Sequence, residues 1–168
     1  SKNLNSNISQ QLFYLLVLVL FLRIDLVFEN NTPTGGDMGA HIVAIDTFIK
    51  DFMPNLQING WSNDWFGGYP LYYFYFPLPA IITFFLNLVF PFGVAFKIMV
   101  VISTILVVYS IEKLMRKASN QISIYGATAG LFYVFTESFT IYGGNLASTL
   151  AGQFSFAYSL AFANLSIF

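Results

Sequence analysis

The sequence predicts an all-α membrane protein, a polytopic helix bundle with an external loop that carries a juxtamembrane amphipathic helix. Three observations predict it. Only 9% of the residues are charged and 57% are hydrophobic, with a mean hydropathy of +0.68; ordinary soluble domains carry about 25% charged residues. Several apolar runs approach the roughly 20 residues that cross a hydrocarbon core. Lys113, Arg116 and Lys117 form a dense basic cluster, as expected of a cytoplasmic loop. The net charge of −1 leaves no basic footprint for nucleic acid. Without cysteines the chain carries no redox-compartment signal.

The elements follow in order. A first span is predicted at 11–28, where Leu12 to Leu22 is uninterrupted apolar sequence. Arg23 and Asp25 sit toward one end, where a long Arg side chain snorkels to the interface. No signal-peptide cleavage pattern follows. The polar stretch 29–68 is read as an external loop; it holds Asp37, Asp46, Asp51 and Asp64. Structureless loops of this length are uncommon and usually functional. Within it Met38, Ile42, Ile45, Ile49 and Phe52 recur at helical spacing. Such a stripe predicts an amphipathic helix along the membrane surface, preceded by Gly35-Gly36 and ended by Pro54.

The segment 69–90 is apolar and aromatic, but Pro70, Pro77 and Pro79 break it. It is read as re-entrant or kinked, since non-helical backbone is tolerated where it packs on protein. A proline-kinked span is the alternative. A clean span at 94–111 leads to the basic cluster, which is placed inside. A third span at 123–135 returns outward, and a fourth starts near 148 and runs to 168. The start at Ser1 and the stop at Phe168 inside an apolar run are read as those of a fragment, the N-terminal part of a longer membrane protein. Asn7, Asn30 and Asn164 stand in triplets that fit the glycosylation acceptor pattern, which is common by chance. This arrangement puts Asp37, His41, Asp64, Glu137, Tyr142, Asn145 and Ser148 on one side. Two polar regions far apart in sequence are therefore expected to face one cavity.

The order of these parts resembles the GT-C superfamily of membrane glycosyltransferases: one span, an external loop with an acid at the start of a surface helix, an aromatic GGYPLYYFYFPLP segment, then paired spans. Within it, Trp65-Phe66-Gly67-Gly68-Tyr69-Pro70-Leu71 and Gly143-Gly144-Asn145-Leu146-Ala147-Ser148 look most like bacterial and archaeal membrane proteins labelled 6-pyruvoyl-tetrahydropterin synthase-related. That label does not extend to zinc chemistry here: the soluble pterin enzymes use three histidines on zinc, and this chain has one histidine.

The resemblance implies transfer of a sugar from a polyprenyl-phosphate donor, on the non-cytoplasmic face, by a protein whose partners are the bilayer and the lipid-linked donor. Asp37 would be the loop acid and the catalytic base, taking the acceptor's hydroxyl proton. His41, one turn later, would hold a substrate hydroxyl or orient Asp37. Each candidate has a plainer reading. Asp37 is also a favoured helix N-cap, and His41 an ordinary interface residue. Trp65 and Tyr69, with the neighbouring Trp61, Phe66, Tyr72, Tyr73, Phe74 and Tyr75, are a lipid-chain groove or sugar-stacking wall, or members of an interfacial aromatic belt. Glu137 is a second acid or a solvated one. Asn145 and Ser148, with Thr149 and Gly152, line a pocket or let helices pack closely. Arg23 and Lys50 are the basic candidates for a phosphate. Many relatives have Asp-Asp or Asp-Glu where this chain has Asp37-Met38, so the divalent metal that the resemblance allows is only weakly supported by the residues. The alternatives are a non-catalytic membrane component of carbohydrate assembly and, ranked third, a transporter, which would want ionisable groups near mid-membrane.

Overall fold

The structure is a computed structural model that describes residues 2–118, 123–137 and 143–167, with the backbone alone at 2–11 and 123–124. Tyr142 lies outside the described residues. The chain is mostly helical. Its axis is α5, Phe92–Ala118. Pro91 precedes it, and the Pro91 carbonyl accepts the first helical bond, from the Ala95 N–H at 2.9 Å. Proline is at home there because the first N–H groups of a helix have no partner. From Val94 onward no glycine or proline interrupts the helix, and Arg116 and Lys117 in the last turn meet its negative end. Its 27 residues extend roughly 40 Å at 1.5 Å each. Among the described residues it is the one helix long and apolar enough to cross a membrane.

Two helices cover α5: α6, Ser123–Phe135, and α8, Phe154–Ser166. Small residues bring α6 close. A Cβ at Gly130 would lie 3.1 Å from Val108 Cα, and one at Gly126 would lie 3.1 Å from Glu112 Cα. Hydrogen bonds fix α8: the buried Tyr158 hydroxyl donates to the Met99 carbonyl at 2.7 Å, and Asn164 Nδ2 donates to Ser110 Oγ at 3.1 Å. The N-terminal helix α1, Lys2–Phe21, leans on α6 through Tyr14 Oη and Thr128 Oγ1 at 2.8 Å and through the Phe21 and Phe135 rings at 4.9 Å. Leu12, Phe13, Leu16 and Leu20 on α1 point outward and are exposed.

The remaining elements gather at the N-terminal half of α5. They are the single turn α2, Ile24–Val27; α3, Met38–Thr47, continued by a widened π-helical turn Phe48–Phe52 and a 3-10 turn Met53–Asn55; the hairpin β1, Gly60–Ser62, with β2, Tyr69–Leu71; and α4, Leu78–Asn87. The strands are antiparallel, with Trp61 opposite Pro70. The Asp64 carboxylate ties the hairpin to α3 by accepting the hydroxyls of Thr47 and Ser62, and these bonds hold its pKa below the ordinary value. One core joins Met38, Ile45, Phe48, Phe96, Phe154 and Tyr158. A second joins Leu18, Val107, Val108, Val134 and Ala161.

Several expectations change. The predicted span 11–28 is not one rod. The helix stops at Phe21, and Arg23 adopts φ 46°, gripping the Asp25 carboxylate with its Nε and Nη2 groups before α2 begins. The predicted span 94–111 is longer, because the helix runs on through the basic cluster to Ala118. The segment 69–90 is a strand followed by a helix of 10 residues, about half the length needed to cross. The segment from 148 is cut by Gly152 at φ 110°, giving the short turn α7, Leu146–Ser148, then a π-helical turn Thr149–Gln153, then α8. The helix expected along the membrane surface lies inside the fold: Met38, Ile45 and Phe52 are buried, and Ile42 and Ile49 pack on the same core. The stripe is right, but it faces protein.

Gly130→Leu places a branched side chain against the α5 backbone. Overpacking of this kind costs about 1–3 kcal/mol. The variant is expected to melt earlier than the parent in the same detergent, followed by the loss of helical circular dichroism.

Candidate functional site

Asp37 occupies the N-cap position of α3: its carbonyl accepts the His41 N–H at 3.1 Å. Its side chain makes no capping hydrogen bond, and the residue is exposed. The sequence offered a cap or a working acid; the backbone caps, and the carboxylate is left facing outward. Distant chain holds this corner in place. The Asp37 N–H donates to the Ala151 carbonyl at 2.8 Å. Gly36 makes that approach possible, since a Cβ there would lie 2.3 Å from the same oxygen. On the other side, a Cβ at Gly152 would lie 3.0 Å from Asp37 Cβ and 3.1 Å from His41 Cδ2. The π-helical turn and the start of α3 thus dock through glycine on both faces.

His41 is half-buried between two rings, Phe154 at 4.8 Å and Tyr75 at 5.5 Å between centroids. Burial pushes its pKa below the ordinary value, against the opposing pull of the Asp37 charge and a hydrogen bond to the Gly152 backbone. The imidazole is therefore held toward its neutral form, in which one ring nitrogen donates and the other accepts.

The other candidates separate. Asn145 is buried and committed: Oδ1 accepts the Ser148 N–H at 2.8 Å, capping α7, and Nδ2 donates to the Thr136 carbonyl at 2.7 Å. Ser148 is fully buried. Thr149 donates its hydroxyl to the Asn145 carbonyl at 2.8 Å. These residues build the bend that carries Ala151 and Gly152 to Asp37. Glu137 is exposed, beside the Thr136 carbonyl that Asn145 binds. Trp65 stacks on Tyr69 at 6.1 Å, and Tyr69 stands opposite Ser62 in the hairpin. Arg23 and Lys50 are each in an exposed ion pair, with Asp25 and Asp46, both at 2.7 Å.

Sequence reasoning passed over Ala151 and Phe154. Gly152 directly before an apolar run was the one available signal, a glycine inside a helical pattern. Among the described residues no three His, Asp or Glu side chains come together to hold a metal ion. No protein family, curated protein or solved structure matches the chain.

Two outcomes are expected. Gly152→Ala adds a methyl group at positive φ against Asp37 and His41; strain of this kind is of order 1–3 kcal/mol. Limited proteolysis is expected to cut the variant faster within 33–40 than the parent. The second concerns pH. A His whose folded pKa lies below its unfolded value of about 6.5 contributes stability above that pH. The contribution is lost as pH falls below it, because the unfolded chain takes up the proton first. His41→Phe is expected to flatten that part of the pH dependence of the melting temperature between roughly pH 5 and 7.

Proposed function

We propose that the chain is a membrane glycosyltransferase-like protein that moves a sugar from a polyprenyl-phosphate donor to an acceptor hydroxyl. The observation that carries this reading is the Asp37 carboxylate. It stands at a helix start without serving as a side-chain cap, exposed, beside a half-buried histidine. In the reaction the acceptor oxygen bonds to the anomeric carbon of the sugar. The bond from that carbon to the phosphate oxygen breaks, its electron pair leaving with the lipid phosphate. Asp37 takes the acceptor's proton as the new bond forms. His41, neutral and fixed between Phe154 and Tyr75, orients a sugar hydroxyl or the carboxylate. The bound donor would have to bring its phosphate to cations that now sit in exposed pairs, which are worth little and exchange readily.

The membrane setting is part of the proposal. In it α5 crosses the bilayer, with Lys113, Arg116 and Lys117 inside and Asp37 on the non-cytoplasmic face, while α1, α6 and the α7–α8 segment complete a multi-pass bundle. The outward apolar side chains of α1 support it. A second reading, a non-catalytic component of carbohydrate assembly, is favoured by one observation. Asn145 and Ser148 are buried in the bend, where they serve the backbone.

Asp37→Asn in the full-length protein is expected to lower sugar transfer by about 10²–10⁴-fold, the usual worth of a general base, with insertion unchanged. Transfer at the parent rate would remove Asp37 from the base role. Cysteines placed at Asp64 and at Lys117 are expected to react with an impermeant maleimide from opposite sides of sealed vesicles; labelling from one side rejects the topology.

A further inference from the structure

A cavity of about 490 Å³ opens between the end of α1, the loop 29–34, α5 and the π-helical turn. Its volume is in the range of sites that hold small molecules. Met38 and Leu150 line it, whereas Asp37 and His41 do not.

The charges at one end of this cavity are already matched within the protein. Lys97 Nζ donates to the backbone carbonyls of Leu26 and Glu29 at 2.6 and 2.7 Å and to Asn31 Oδ1 at 2.8 Å. That uses all the N–H groups of an ammonium. The Glu29 carboxylate takes Asn31 Nδ2 at 3.0 Å, and Arg23 holds Asp25 through Nε and Nη2. A close approach fixes this rim. A Cβ at Gly93 would lie 2.5 Å from the Asn31 carbonyl oxygen, so the loop rests on the first turn of α5. A charged ligand entering here would give up its water and find no free counter-ion, and an unmatched charge is costly to bury. The site selects against charge.

The other end differs. Val100, Val101 and Thr104 follow Lys97 along the wall, and Thr104 lies roughly 10 Å further along the helix axis than Lys97. Leu22 and Leu146, which pack on the Val107 and Val108 cluster, close this end. Thr104 is 2% exposed, and its hydroxyl has no hydrogen-bond partner. A helical threonine ordinarily gives its hydroxyl proton to the carbonyl four residues back. For Thr104 that carbonyl is Val100, which takes the Ser103 hydroxyl at 2.7 Å in addition to its helical N–H. Both lone pairs of that oxygen are in use, so the Thr104 proton needs an acceptor from elsewhere. Leaving a buried donor unmade is destabilising, and rotation of the side chain to another staggered position re-aims it.

We infer that the cavity binds an uncharged, mostly hydrocarbon molecule bearing a carbonyl, of the ring-ketone or quinone class. Its carbonyl oxygen accepts the Thr104 hydroxyl, and its apolar body lies along Val100, Val101 and Leu146. The inference is separate from sugar transfer, since it uses no phosphate and no residue of the Asp37 corner beyond the wall that Met38 supplies.

The test uses the whole chain in phospholipid nanodiscs, with benzophenone as the probe. The excited carbonyl of benzophenone bonds to C–H groups within its reach, so the labelled residue reports where the oxygen sits. Labelling is expected to saturate and to map to 100–104 and Leu146. Fluorenone and fluorene, alike in their rings but with and without the carbonyl, serve as competitors. Thr104→Val keeps the side-chain shape and removes the hydroxyl. The advantage of fluorenone over fluorene is expected to shrink about 2- to 10-fold in Thr104→Val, the worth of one hydrogen bond. Comparing the two proteins cancels the unequal partitioning of the competitors into lipid. Fluorene carboxylate, the charged analogue, is expected to compete at least about tenfold worse than fluorenone. Without ligand, Thr104→Val is expected to melt no lower than the parent, because the hydroxyl it loses has no partner. Val101→Trp fills the cavity from its half-buried wall and is expected to abolish labelling at 100–104 with helical circular dichroism retained. Labelling confined to the exposed leucines of α1, or undiminished in Val101→Trp, overturns the inference. So does an unchanged fluorenone advantage or a lower melting temperature in Thr104→Val, or competition by the carboxylate equal to that of fluorenone.

Discussion

Backbone hydrogen bonding within α5 is the constraint on which the rest is arranged. In apolar surroundings each N–H and C=O must be satisfied inside its own element, and a run from Val94 without glycine or proline achieves this over many turns. Ser103 and Ser110 turn their hydroxyls back onto the carbonyls of Val100 and Val107, so these two buried hydroxyls are also served locally. The helix is then free to offer different faces to different neighbours. Val108 and Glu112 accept the glycines of α6, Met99 and Ser110 accept α8, and Lys97 holds the loop after α2.

The Asp37 corner depends on a break in a second helix. Gly152 at φ 110° splits what would have been a continuous rod and turns the Ala151 carbonyl toward the loop before α3. That carbonyl takes the Asp37 N–H. One interruption therefore presents an acceptor, makes room for a close approach and places Phe154 over His41. Irregular backbone in the middle of a helical protein is costly unless another element satisfies it. Here the loop 35–37 is that element. The acid stays outside, the ring beside it is half-buried, and the two respond differently to solvent.

The same corner separates two environments. On its outer side stand the Asp37 carboxylate and the aromatic contacts of His41. On its inner side Met38 and Leu150 face the cavity along α5. The structure sets the two one residue apart in the chain at both Asp37-Met38 and Leu150-Ala151. Met38 is fully buried and serves the wall and the core; a second carboxylate there would be desolvated.

The sequence by itself determined the helical character, the long apolar α5 with its basic end, the 3.6-residue stripe from Met38 to Phe52 and the place of Asp37 at a helix start. These follow from composition, periodicity and capping, which act over a few residues. Only the tertiary structure decided what the stripe faces: periodicity gives the angle of an apolar face, while its partner is chosen by residues such as Phe96 and Phe154 far along the chain. It also decided which polar residues remain outside. Spacing alone left Asn145 and Ser148 between close helix packing and a pocket wall, but a bend in the backbone needed their hydrogen bonds more. Arg23 read as the end of a span and proved to be a left-handed break stabilised by Asp25. Local rules see a residue's neighbours in sequence, and the pairing of Gly36 with Ala151 joins backbone more than a hundred positions apart.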